Sequence, residues 1–256
     1  MKKFYIPSFL VALVALISIV VFNTIENNLN TSLEKTNLQK EYPSEWMYNQ
    51  RAFPNNYINS EAIENAIAQS NSIIENRASQ GTDWTLIGPL NTGGRITDVA
   101  ISPDNDDILY VSTPVGGIFK TIDRGQNWSP IFNGIGKPSI GNIAIAPSNS
   151  QRIYVGTGEA NGSATSGAFF GNGIYRSNDA GENWTHKGLP ESNHIGRIVV
   201  DPSDPDRVFV AATGKLYGKN DERGIYRTIN GGDDWEKVLF VTDSTSAIDV
   251  AINSAN

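Results

Sequence analysis

The chain has no cysteine, only two histidines and two methionines, and fewer basic than acidic residues. Without cysteine there is no disulfide framework, no cysteine-anchored lipid and no thiolate zinc site. The net charge of −7 and the pI of about 4.9 give none of the basic character that nucleic-acid-binding proteins usually show. We therefore expect no cofactor, no metal site and no nucleic-acid partner.

What the chain does contain is an eight-residue pattern that occurs three times. The pattern is a hydroxyl residue, any residue, Asp or Asn, any residue, Gly, two residues of any kind, and Trp. The copies run over 121–128, 177–184 and 228–235, so their tryptophans lie 56 and 51 positions apart, which indicates a structural repeat. The pattern positions are Thr121, Asp123, Gly125 and Trp128; Ser177, Asp179, Gly181 and Trp184; and Thr228, Asn230, Gly232 and Trp235.

Each copy of the pattern is embedded in a larger unit of four short apolar runs. In the first unit these are 96–102, 108–111, 118–120 and the run that begins at Trp128. The runs are rich in β-branched and aromatic residues and are separated by Gly, Asn, Asp and Pro, which favours strands joined by turns. Four strands in roughly 40–55 residues predict one blade of a β-propeller. We therefore predict an all-β fold with blades at about 95–135, 140–190 and 195–241, and the start of a next blade at 247–256.

The eight-residue pattern suits the turn between the third and fourth strands of a blade. Its Asp or Asn can accept hydrogen bonds from nearby backbone N–H groups, and its Gly allows a positive φ. The pattern resembles the Asp-box, or BNR, repeat of sialidases, xyloglucan hydrolases, sortilin-type receptors and photosystem assembly factors. In those families the box lies at the blade periphery, so the resemblance implies a structural role for Asp123, Asp179 and Asn230.

The N-terminal region has a different composition. Lys2 and Lys3 precede an uncharged run from Phe4 to Phe22, which predicts a signal peptide or signal anchor and an extracytoplasmic, secreted or cell-surface location. A cleaved signal is favoured, and membrane contact is expected only through residues 4–22 if it is retained. Residues 23–42 are polar and predict a linker. Residues 43–80 form an extension with a helix at about 60–77, which either packs on the propeller or docks a partner.

Residues 84–89, with the sequence WTLIGP, look like a fourth strand that lacks the three strands before it. We interpret this segment as the outer strand of the last blade, supplied by the other end of the chain to remove an exposed edge. Together with the motifs at 43–54 and 93–95, the segment resembles the opening of large secreted bacterial propeller proteins described as sortilin-like or BNR-repeat glycosyl hydrolases. Since a closed propeller needs at least four blades, we expect an N-terminal fragment of a longer chain.

Candidate ligand contacts lie in the loops between second and third strands, which contain 6, 18 and 14 residues in the three units. The long loop of the second unit offers a carboxylate, an amide and two aromatic rings, an inventory that suits a sugar. Arg95, Asn142 and Arg197 each follow a glycine near the start of a first strand, and we expect them at equivalent positions around the channel mouth. The ligand-binding candidates are Arg95, Asn142, Glu159, Asn161, Phe169, Phe170, Arg197 and Tyr217.

Two functions remain open at this point. The first is an exported, non-catalytic binding or scaffold propeller for an extracellular glycan or protein ligand, and we favour it. The alternative is a glycoside hydrolase, xyloglucanase-like or sialidase-like, whose remaining catalytic residues lie beyond residue 256. The resemblance to xyloglucan hydrolases implies an Asp in the segment 113–117, where this chain has Pro114. Glu159 is then the one candidate acid, without an identified partner, although such hydrolysis normally needs two carboxyl groups.

Overall fold

A computed structural model describes residues 49–50, 52–56, 62, 65–66, 68–70, 72–73, 93–135, 138–161, 169–216 and 218–253. All of them belong to one compact unit, Pro43–Asn256. The predicted signal segment, the linker and the strand at 84–89 lie outside the described residues. Within the predicted helix at 60–77, every described residue is helical. No helix in the described part of the chain has the length and apolar character needed to cross a membrane.

Twelve strands form three four-stranded antiparallel sheets in the described residues, and each sheet has its strands in sequence order. The first sheet contains β1 (Asp98–Ser102), β2 (Asn105–Ser112), β3 (Ile118–Thr121) and β4 (Ser129–Pro130). The middle sheet contains β5 (Ile140–Ala146), β6 (Asn149–Thr157), β7 (Ile174–Ser177) and β8 (Thr185–His186). The third contains β9 (Ile195–Val200), β10 (Val208–Ala212), β11 (Gly224–Thr228) and β12 (Glu236–Leu239).

The sheets are arranged as consecutive blades. The first strand of the middle sheet, β5, contacts both β1 and β9, so the three first strands are neighbours and form the inner edges of the sheets. This arrangement of meandering four-stranded sheets is that of a β-propeller, here a partial one, and it confirms the predicted fold class. Residues 247–253 are not assigned to a strand, and the start of a next blade at 247–256 stays a prediction.

Two apolar cores lie between neighbouring sheets. Phe132 anchors the first core, since its ring meets Tyr175 and Trp184 of the middle sheet edge to face at centroid distances of 5.4 and 5.3 Å. The second core joins the middle and third sheets. Its buried members are Ala146, Tyr154, Ile174, Ile195, Ile198, Val200, Val208, Val210, Ala212 and Tyr226. Burial of these β-branched and aromatic side chains is the main force that holds the sheets together.

The repeated turn has nearly the same hydrogen bonds in all three sheets. In the first, the Thr121 hydroxyl accepts from the Gly125 N–H at 2.9 Å and donates to Asp123 Oδ1 at 2.7 Å. The other Asp123 oxygen accepts from the Asn127 amide at 2.7 Å, and the indole of Trp128 packs over Gly125, whose φ is +88°. The second and third turns repeat these contacts from Ser177 and from Thr228. The predicted turn geometry is therefore present three times.

Candidate functional site

Ser139, which lies just before β5, makes hydrogen bonds to both described ends of the long loop of the middle sheet. The Gly158 N–H donates to the Ser139 carbonyl at 2.7 Å, and the Glu159 N–H donates to the Ser139 hydroxyl at 3.2 Å. The same hydroxyl donates to the carbonyl of Phe169 at 2.9 Å. Ser139 therefore brings the two described ends of the loop together, although residues 162–168 separate them in sequence.

Glu159 is buried, with 3% of its surface exposed, and its carboxylate binds Arg95, which lies just before β1 of the first sheet. Both oxygens accept from the guanidinium, and the distance from Arg95 Nη2 to Glu159 Oε2 is 2.8 Å. A bidentate pair of this kind offsets the cost of burying the carboxylate. The Arg95 side chain keeps half of its surface exposed. The structure thus joins two predicted site residues in one contact between the first two sheets.

The ion pair limits what Glu159 can do chemically. Both of its oxygens face Arg95 and its side chain is buried, so a sugar oxygen has no access to the carboxylate in this arrangement. A general acid must reach the glycosidic oxygen to protonate it. Pro114, at the position where the resemblance implies an acid, is itself buried. Glu159 is therefore not positioned as the general acid, and position 114 has no side-chain carboxyl group.

The expected equivalence of Arg95, Asn142 and Arg197 is wrong for Arg95. The strand registers pair Asp98 with Ser112, Asn142 with Gly156, and Arg197 with Ala211, so the residue that matches Asn142 is Asp98. Arg95 lies three residues earlier, before β1 begins. The shared Gly-x-Ile triplet suggested the wrong alignment, because in the first sheet the triplet occurs three residues too early along the chain.

Asn142 and Asp98 connect the inner strands. The Asn142 side-chain amide donates to Asp98 at 2.5 Å, and its oxygen accepts from the Ile198 N–H at 2.7 Å. Asn142 is only 4% exposed, so its polar atoms are used between sheets. Arg197 continues the pattern, since its Nε donates to Asp249 at 3.0 Å, although it remains exposed. This inner row of polar contacts joins successive sheets at Asp98, Asn142 and Ile198, and its last pair, Arg197 with Asp249, is exposed to solvent.

The remaining aromatic candidates differ in exposure. Phe169 is 52% exposed, which suits a platform for a sugar ring, and Asn161 is also exposed. Phe170 is half-buried and packs against the ring of His194 at a centroid distance of 5.1 Å. His194 is fully buried, and its Nδ1 lies 2.8 Å from the Gly214 carbonyl. No cluster of three or more acidic, histidine or cysteine ligands that could hold a metal occurs among the described residues.

The corresponding loop of the third sheet contains one buried charged residue, Arg223. Arg223 is 3% exposed, and its guanidinium donates to the carbonyls of Lys215 and Gly218, each at 2.7 Å, and to the side chain of Asn220 at 2.9 Å. Burial lowers the pKa of this guanidinium from its ordinary value. Sequence reasoning missed this role, because one arginine in a charged run looks solvated. The remaining candidate, at position 217, lies outside the described residues.

No protein-family model matches the chain. Among curated proteins it is similar to a xyloglucanase from Paenibacillus, with 26% identity over 175 residues that cover 62% of this chain and 16% of the relative. A xyloglucanase from Hypocrea jecorina is 24% identical over 175 residues, which cover 62% of this chain and 19% of that protein. The chain therefore spans less than a fifth of the length of the curated relatives it matches.

Solved structures give a similar result. The crystal structure of an ancestral GH74 enzyme aligns with a TM-score of 0.49 and 22% identity, covering 65% of this chain and 21% of that one. The YCF48 protein from Cyanidioschyzon merolae aligns with a TM-score of 0.40 and 20% identity, covering 61% and 41%. The strand topology makes the described part of the chain a partial β-propeller, and the curated proteins similar to it are xyloglucanases.

Proposed function

We propose that this chain belongs to an exported glycoside hydrolase that acts on a xyloglucan-type β-glucan, and that its three sheets contribute to substrate binding. The observation that carries the proposal is the similarity to xyloglucanases across 62% of the chain. It favours the hydrolase alternative over a scaffold without activity. The repeated turn supports the finer assignment to Asp-box propellers, since its Ser or Thr, Asp or Asn, Gly and Trp residues make matching contacts.

Within this proposal the binding surface is the region around Ser139. Phe169 presents an exposed aromatic ring, and the half-exposed Arg95 offers donors to sugar hydroxyl groups. The buried contact with Glu159 fixes the guanidinium, so little side-chain entropy is lost when a ligand binds. The pair of catalytic carboxyl groups that glycoside hydrolysis requires is assigned to residues outside the three sheets.

Binding and turnover are tested together with xyloglucan oligosaccharides, using calorimetry and release of reducing ends. We expect the Phe169→Ala variant to bind about two- to tenfold more weakly, which corresponds to the roughly 0.5–1.5 kcal/mol of an aromatic contact. Phe240→Ala is the matched control, because Phe240 is 44% exposed but belongs to the third sheet, where it follows the outer strand β12. Equal loss in both variants, or no xyloglucan binding, contradicts the proposal.

A second function, glycan binding without hydrolysis, is favoured by the buried Pro114 and by the Arg95–Glu159 pair. The same assay separates the two. Oligosaccharide binding that is lost in Phe169→Ala, with no turnover by the intact protein, selects the binding function. Turnover that persists in Glu159→Gln selects a hydrolase whose acid lies elsewhere, whereas turnover abolished in that variant would give Glu159 a catalytic role.

A further inference from the structure

Glu159 is the one buried carboxylate in the part of the chain that the structure describes. Its side chain is 4% exposed, whereas the next most buried carboxylate in an ion pair, that of Asp201, is 16% exposed. Its partner Arg95 differs, since half of the Arg95 side chain faces solvent. Any effect of Glu159 on a ligand therefore acts through Arg95.

The backbone around Glu159 keeps the carboxylate in place. The Glu159 N–H donates to the Ser139 hydroxyl at 3.2 Å, and Glu159 forms a parallel bridge with Ile195 of β9. The preceding Gly158 packs so closely that a Cβ there would lie 1.9 Å from the Asn193 carbonyl oxygen. The acid is therefore a fixed negative charge at the guanidinium rather than a side chain that can turn toward solvent.

Holding an arginine in place does not require an acid in this fold. Arg223 is 3% exposed, and its guanidinium donates to two backbone carbonyls and to the side chains of Asn220 and Ser246, at 2.9 and 3.2 Å. Neutral acceptors are therefore sufficient to fix a guanidinium. At Arg95 a buried carboxylate does the same, although burying a carboxylate costs more than burying a carbonyl. What the acid adds at Arg95 is its negative charge.

Arg95 keeps hydrogen-bonding capacity although its charge is compensated. Glu159 accepts from two of the guanidinium N–H groups, and the others have no partner among the described residues. A sugar hydroxyl group needs only such a donor. A carboxylate on the ligand would meet the same donors and also the charge of Glu159. Because Coulomb energy falls with the inverse of distance, an anion about 4 Å from the guanidinium and about 8 Å from Glu159 loses roughly half of the attraction.

We propose that Glu159 makes the binding surface select neutral glycans over glycans that carry carboxylate groups. The remaining half of the attraction must offset the hydration that a ligand carboxylate loses, which is larger than that of a hydroxyl group. The net charge of −7 also opposes an anionic ligand. The inference rests on the proposed function, because it takes Arg95 as a contact of the glycan.

The test compares cellohexaose with its C6-oxidised form, in which glucose units become glucuronate while the backbone stays the same. Calorimetry at neutral pH measures the affinity of the full chain for each. We expect the wild type to bind the oxidised form no more tightly than the neutral form. In Glu159→Gln the amide keeps an acceptor for Arg95 but has no charge. The oxidised form should then gain about tenfold in affinity, a gain that about 200 mM salt should reduce, whereas the affinity for the neutral form should not rise.

Glu182→Gln is the matched control for the change in net charge. Glu182 is exposed and lies in the turn after β7, whereas the long loop precedes that strand. The substitution removes one negative charge from the chain without removing the partner of Arg95. It should change neither affinity by more than about twofold, because an exposed charge at a distance is largely screened by salt.

If Glu159→Gln binds the oxidised form no better than the wild type does, Glu159 only holds Arg95 and the proposal is wrong. If that variant does not fold, the ratio of the two wild-type affinities decides, since tighter binding of the oxidised form, weakened by salt, would make Arg95 an anion site. A wild type that does not bind the neutral form, together with a gain for the oxidised form in Glu159→Gln, contradicts the proposed function but keeps the role of Glu159. Binding of neither form by either protein overturns both.

Discussion

The repeated turns and the loops between second and third strands differ in how sequence controls them. The three turns keep the same hydrogen bonds although only the hydroxyl type, the Asp or Asn, the Gly and the Trp are shared. The three loops have different lengths and each is held differently. Ser139 joins the ends of the middle loop, whereas buried Arg223 holds the third one from inside.

This difference separates local from distant determinants. A turn is specified by residues within eight positions, so it is stable wherever the pattern occurs. The middle loop also depends on a distant contact, the pair between Arg95 and Glu159, which lie 64 residues apart. Binding residues are expected in the loops, where neighbouring sheets can differ without disturbing the scaffold.

The largest effect is expected from Gly158→Ala, which would show that a variable loop contains a rigid position. A Cβ at Gly158 would lie 1.9 Å from the Asn193 carbonyl oxygen, and the backbone has a φ of +82°. Since backbone atoms cannot move aside cheaply, we expect unfolding free energy to fall by about 3 kcal/mol or more. Urea denaturation measures it.

Gly218→Ala is the control for backbone strain alone. Gly218 has a φ of +111°, but a Cβ there would meet no atom within 4 Å. We expect a loss of about 1–2 kcal/mol from the positive φ. Equal losses for the two alanine variants would mean that the close contact with Asn193 adds nothing to the cost of the positive φ.

A smaller loss is expected in the turns from Ser177→Ala. Ser177 is fully buried, and its hydroxyl accepts from the Gly181 N–H at 2.8 Å. Without it a buried N–H loses its partner, which costs about 1–3 kcal/mol. Asn178→Ala, at the unconstrained second position of the same turn, should change stability by less than about 0.5 kcal/mol. Glycan binding should be unchanged in both variants, and a loss of binding would place the turn at the ligand surface.

The sequence was sufficient to predict the blades and turns because their determinants are local and repeated. The positions of Asp98, Asn142 and Arg197 were also available from the sequence, since each lies five residues before the proline that ends its strand. Alignment on the glycine placed Arg95 there instead. The partner of Glu159 was not predictable, because the contact depends on how two sheets pack. The burial of Arg223 depends equally on the path of its loop.

The acid and amide of the turn exchange places in the third sheet, which suggests a further test. Asp179 accepts from the Asn183 amide at 2.8 Å, whereas Asn230 donates to Asp234 at 3.1 Å. Asp179→Asn alone places two amides opposite each other, and we expect a loss of about 1 kcal/mol, the value of a typical hydrogen bond. Adding Asn183→Asp should recover most of it in urea denaturation. A double variant no more stable than the single one would mean that the two positions are not interchangeable.

The smallest effect is expected at low pH, where the stability of the first turn, which has Asp123, should change, whereas that of the third, which has Asn230, should not. Hydrogen bonds, first from the Asn127 N–H and then from the Thr121 hydroxyl, lower the pKa of Asp123 from 3.8 to about 2. Since the folded pKa lies below the unfolded one, the carboxylate stabilises the fold above pH 3.8, and this contribution disappears as the pH falls toward 2. We expect Asp123→Asn to reduce the decline of the urea midpoint between pH 4 and pH 2. Asp104→Asn, in the exposed turn between β1 and β2, should leave the decline unchanged. If Asp123→Asn retains the full decline, the turn carboxylate does not contribute to the acid sensitivity of the fold.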